Sequence, residues 1–146
     1  PRPCSACAAR LPWATLARFP GYSRYKKFGG FDESMPVCED YDLWLRISMS
    51  FPFHFIEEKL IVKRGGHEDQ LSRKFWGMDR WRVHSLKKLL QENQMNEEQR
   101  GLVMEMLVEK CNILACGYEK RGKIRERDYY RSLKTSYSGL IGKPLQ

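Results

Sequence analysis

No run of 18 or more apolar residues occurs in the sequence, which excludes a helix that crosses a bilayer unaided. The mean hydropathy of -0.61 agrees with that exclusion. Residues 1–27 contain no acid, against six Lys and Arg. Prolines at 1, 3, 12 and 20 nevertheless break any amphipathic helix of the transit-peptide kind there. There is no starting Met, and an opening Pro1-Arg2-Pro3 suggests that residue 1 is not a natural beginning. The five cysteines (4, 7, 38, 111 and 116) are odd in number and lack the spacing of a secreted disulfide framework. They point to reduced thiols in a cytoplasm-like compartment. Cys4-Ser5-Ala6-Cys7 has the C-x-x-C form but no second ligand pair and no strand-to-helix context, so it reads as two incidental thiols. No internal period and no low-complexity segment is present, which excludes a solenoid.

What is there suffices for a core. The 146 residues are 42% hydrophobic and include four Trp and seven Phe. The formal net charge is +8, which suits a phosphate-rich partner: a nucleic acid, a nucleotide diphosphate or an anionic membrane. Within this basic chain, residues 31–42 hold five acids and no base. Phe28-Gly29-Gly30-Phe31-Asp32 predicts a tight loop, because paired glycines allow positive φ and close backbone approach. From Glu39 the acids at 39, 40 and 42 crowd a first turn, and Tyr41, Trp44, Leu45 and Ser48 share a face. A helix over 39 to about 49 follows. Phe53–Ile56 and Lys59–Lys63 are short β-prone runs. Residues 64–72 form a second polar, glycine-bearing loop. After it, Trp76, Val83, Leu86 and Leu90 mark a longer helix with Ser72 as N-cap. Asn96 with Gln99 has the form of a capping box. The helix it opens carries Leu102, Val103, Met106, Leu107, Ile113 and Leu114 inward, with Gly117 as its stop. A basic helix over 119–134 pairs with it as a hairpin, and 139–146 is a frayed end.

Deprotonating a hydroxyl requires a fixed carboxylate at the rim of a cleft, and Glu39-Asp40 at a helix start is the candidate. The N-terminal dipole and free N–H groups there orient a carboxylate. Simple helix capping would account for the same acids without any chemistry.

Gly29-Gly30-Phe31-Asp32-Glu33, followed by Cys38-Glu39-Asp40-Tyr41-Asp42-Leu43-Trp44-Leu45-Arg46, resembles the acceptor-side signature of family 2 glycosyltransferases. Val62 to Ser72 is similar to the family's later segment, in which a basic residue and a His precede a Leu-Ser pair. The resemblance covers residues 28 to about 72. It implies an α/β chain: a partial GT-A fold with short strands, followed by an α-helical C-terminal tail. The corresponding parts are a leader at 1–27, an acceptor-side catalytic part at 28–92 and a helical extension at 93–146. In the family a nucleotide-binding half with a D-x-D motif comes first. No such motif precedes Gly29, so this piece is expected to be inactive alone.

The resemblance also assigns roles. Asp40 is the general base that takes the acceptor proton in an inverting transfer from a nucleotide sugar. Glu39, Asp32, Gly29 and Gly30 shape or bind the acceptor, a glycan or a lipid-linked one. Trp44 is either a core residue or a ring that stacks on a sugar. Arg64 neutralises the leaving diphosphate. His67 is a ligand for a divalent metal, Mn or Mg, and imidazole suits the former better. The implied place of action is the cytoplasm, with peripheral contact at the inner face of the membrane left open. The rival reading is a basic helical module for an anionic membrane, a protein partner or nucleic acid. Nucleic acid is disfavoured, since no major-groove helix motif and no interleaved surface aromatics accompany the charge.

Overall fold

A computed structural model describes residues 27–51, 62, 74–92 and 95–142. Among the described residues four helices are formed: α1 (Glu39–Ser48), α2 (Asp79–Gln91), α3 (Glu97–Glu119) and α4 (Ile124–Ser138). The α/β, partial GT-A fold with short strands is therefore overturned, because the described residues are helical and no strand occurs among them. Apolar runs of four or five residues do not by themselves distinguish a strand from other structure. The two runs expected as strands lie outside the described residues except for Val62, which is 89% exposed and in no strand. The chain divides into two compact units, Pro1–Trp76 and Gly77–Gln146.

In the first unit, α1 begins where the sequence places it. Glu39, Asp40 and Asp42 crowd its first turn and Arg46 its last, so charge complements the dipole at both ends. Cys38 precedes it at φ 63° and accepts from the Asp42 N–H at 3.1 Å. The helix buries Leu43, Leu45 and Ile47 together with Met35, Val37 and Cys38 of the approach. Of the residues expected to share a face, Tyr41 and Trp44 are half-buried and Leu45 and Ser48 buried, and Asp42 is buried as well.

The second unit is three antiparallel helices with α3 in the middle. Asp79 near the start of α2 lies 3.9 Å from Lys110 of α3, whereas Leu90 near its end accepts from Arg100. Likewise Tyr130 of α4 stacks on Tyr118 of α3, and Lys134 reaches back to Asn112. The core comprises Val83, Leu86, Leu89 and Leu90 of α2 with Val103, Met106, Leu107, Cys111 and Leu114 of α3. Leu86 and Leu107 are fully enclosed, and truncating either to Ala should cost about 2–5 kcal/mol. Trp76 lies before α2 rather than on its face, and Ser72 falls outside the described residues. Ile113, expected inward, is 47% exposed.

Both ends of α3 can be explained from local chemistry. At its start the Asn96 side chain accepts from the Gln99 N–H at 2.8 Å, and the Gln99 side chain accepts from the Asn96 N–H at 3.1 Å. This is the expected reciprocal cap. Its end is not Gly117, which α3 passes through, because a helical glycine costs only about 1 kcal/mol. The chain turns at Gly122 instead, at φ +67°. There Lys123 N–H bonds to the Tyr118 carbonyl and Gly122 N–H to the Glu119 carbonyl, each at 3.0 Å. That pattern is a Schellman motif. The last helix accordingly starts at Ile124 rather than at 119. No helix among the described residues is long and apolar enough to cross a membrane.

Candidate functional site

The candidate residues of the first unit lie on a diglycine turn and on the first turn of α1. Gly29 and Gly30 have φ of +75° and +68°, values that L side chains rarely adopt. An added Cβ at Gly29 would meet nothing nearer than Arg46 Nη1 at 3.9 Å. Backbone conformation, rather than space, therefore requires glycine there. Asp32 closes the next turn: its Oδ1 accepts from the Ser34 N–H at 3.0 Å and the Ser34 hydroxyl at 2.6 Å, and its carbonyl accepts from the Met35 N–H. Asp32 thus shapes the loop after the glycines.

Glu39 and Asp40 open α1 and are half-buried. Asp40 Oδ1 accepts from the Tyr41 N–H at 2.7 Å. That N–H is one of the helix-start donors without an intrahelical partner, so capping and orientation of the carboxylate are the same contact. No ion pair to Asp40 occurs among the described residues. Asp40 is thus a half-buried carboxylate oriented by one backbone donor. Trp44 is half-buried on the same helix.

Arg46 joins these pieces. Its Nε donates to Asp42 Oδ2 at 2.9 Å, its Nη2 donates to the Gly30 carbonyl at 2.7 Å, and its Nη1 donates to the Phe28 carbonyl. One planar guanidinium thus fastens the diglycine turn to the acidic helix. Neither Asp42 nor Arg46 is among the site residues that the resemblance implies. Their spacing of four on a helix, acid before base, is the signal that would have found them. Phe31, between the glycines and Asp32, is 46% exposed. Arg64 and His67 lie outside the described residues.

The candidate ligand of the expected divalent metal, His67, lies outside the described residues. Among them no group of three or more His, Cys, Asp or Glu could hold an ion, and Asp42, the third acid of the helix start, is committed to Arg46.

No protein-family model matches the chain, and no solved structure matches it. Two curated proteins do match a stretch of it: an uncharacterized glycosyltransferase of Rickettsia felis and another of Rickettsia conorii. Each is 38% identical over 50 residues, which is 34% of this chain and 8% of the relative's own length. Over that stretch the chain is related to glycosyltransferases.

Proposed function

We propose that this chain carries the acceptor-side base of an inverting, nucleotide-sugar-dependent glycosyltransferase of the family 2 kind, and that the base is Asp40. The observation that carries the reading is the placement of this carboxylate. It stands in the first turn of α1, oriented by the Tyr41 N–H, on a helix that Arg46 fastens to the diglycine turn. The motif resemblance and the partial match to glycosyltransferases support the same class.

In the proposed reaction Asp40 accepts the proton of an acceptor hydroxyl as its oxygen bonds to the anomeric carbon. The bond from that carbon to the nucleoside diphosphate breaks on the opposite face, and the configuration inverts. Glu39, Asp32 and the diglycine turn border the acceptor, a glycan or lipid-linked glycan. The donor nucleotide would be held by a part of the protein beyond these residues. The divalent metal, with His67 as candidate ligand and Arg64 beside the leaving diphosphate, is proposed from the resemblance alone, and no step is assigned to it. The reaction would proceed on the cytoplasmic side.

The test is Asp40→Asn in the full-length protein. Asparagine keeps the size and the acceptor for Tyr41 N–H but cannot take a proton. Transfer should fall by roughly 10²–10⁴-fold with nucleotide-sugar binding unchanged, and transfer at the native rate would refute the assignment. Proton NMR of the wild-type product gives the anomeric configuration, and retention would refute single displacement.

A further inference from the structure

The turn between α3 and α4 carries a charge arrangement that folding alone does not favour. Lys120, Arg121, Lys123 and Arg125 put four cations and no acid into residues 120–125, and every one of these residues is exposed. Lys120 and Arg121 follow the C-terminal end of α3, where cations complement the dipole, and Arg121 donates to the Gly117 carbonyl at 2.8 Å. The other two occupy the wrong end of a helix. Lys123 is the N-cap of α4 and supplies no side-chain cap, and Arg125 follows within the first turn, whose one acid is Glu126. Both add positive charge to the positive end of the dipole, where Ser, Asp or Asn would favour the helix. Farther along α4, Arg127 and Arg131 are occupied by Glu119 and Asp128. Lys120, Lys123 and Arg125 have no such acid among the described residues. Between the last two stands Ile124, an aliphatic side chain 48% exposed at the head of the hairpin.

We propose that this hairpin tip is a contact surface for an anionic lipid membrane, independently of the transferase reading. Cations around an exposed aliphatic group match a surface whose phosphates lie just above its acyl boundary. A polynucleotide would satisfy the charges but has no use for isoleucine, because bases stack on aromatic or guanidinium planes. The unfavourable charges at the start of α4 are then offset by an external anion rather than by a side-chain cap.

The experiment is co-sedimentation of the full chain with vesicles of phosphatidylcholine containing about one-third phosphatidylglycerol, against phosphatidylcholine alone. The chain should partition onto the anionic vesicles and be released by salt. Replacing Lys120, Lys123 and Arg125 together by Ser should weaken partition by about 100-fold, at about fivefold per charge. Ile124→Ser, which leaves the charge intact, should weaken it several-fold while leaving binding to a single-stranded oligonucleotide unchanged. Because all four positions are exposed, far-ultraviolet circular dichroism should match the parent. No preference for anionic vesicles would overturn the proposal, as would partition unaltered by the triple substitution. Native vesicle binding by Ile124→Ser would do the same and would assign the tip to polyanions in general.

Discussion

Asp42, 2% exposed, and Arg46, one turn later, form a 2.9 Å ion pair whose cation also holds the carbonyls of Gly30 and Phe28. The pair is largely enclosed, so its members depend on each other far more than a surface pair does. Arg46→Ala should destabilise the first unit by about 3 kcal/mol, because it removes the paired cation from a buried carboxylate. Arg46→Lys should recover only part of that loss, since an ammonium cannot reproduce a planar fork with three acceptors. Urea denaturation followed by tryptophan fluorescence checks both, and a loss below about 0.5 kcal/mol for the alanine variant would show that the clamp is idle.

The two aspartates of the helix start should separate into different roles. Asp42→Asn should lower stability by about 1–3 kcal/mol, as expected when a buried charged hydrogen bond is weakened. Asp40→Asn, at a half-buried position with one backbone contact, should remain within about 0.5 kcal/mol of the parent. The same denaturation measurement decides. A destabilisation by Asp40→Asn as large as that by Asp42→Asn would make Asp40 a structural cap and remove its reason to be a base.

The ends of α3 predict two modest, separable losses. Asn96→Ala removes one half of the capping box and should cost about 1 kcal/mol. Gly122→Ala places a side chain at φ +67° and should cost about 1–2 kcal/mol. In a unit of this size each kcal/mol lowers the melting temperature by roughly 4–8 °C. Thermal melts that leave either variant at the parent's temperature would contradict the assigned cap.

Cys111 is fully buried and Cys116 exposed. Burial pushes the Cys111 thiol up to about 11 from 9.0, with Lys87 opposing. It also pushes Tyr130 up to about 12 from 10.0, helped by Tyr118 and Tyr129. Iodoacetamide at neutral pH should therefore label Cys116 well before Cys111, as read by peptide mass spectrometry. Because both folded values exceed the unfolded ones, the native state holds these protons more tightly. The stability they contribute is complete below pH 9 and is lost as pH rises, through about 11 for the thiol and about 12 for the phenol. Melting temperature should fall across that window, and Cys111→Ala should flatten its lower part. A flat profile in the parent would contradict the buried placement.

Local chemistry was enough to foresee several elements from the sequence alone. The acids at 39, 40 and 42 marked the start of α1, Asn96 with Gln99 marked the start of α3, and the diglycine pair marked the turn before Asp32. Each depends on neighbours within a few residues, so the chain carries the information in one place. The placement of Asp40 at a helix start was legible for the same reason. Three outcomes depended on tertiary structure instead. Arg46 reaches back 16 and 18 residues to two carbonyls. Asp42 rather than Tyr41 is enclosed, and the described residues are helical rather than α/β. These are long-range or competitive decisions, in which which groups lose water and which carbonyls find a donor is set by packing against distant parts of the chain.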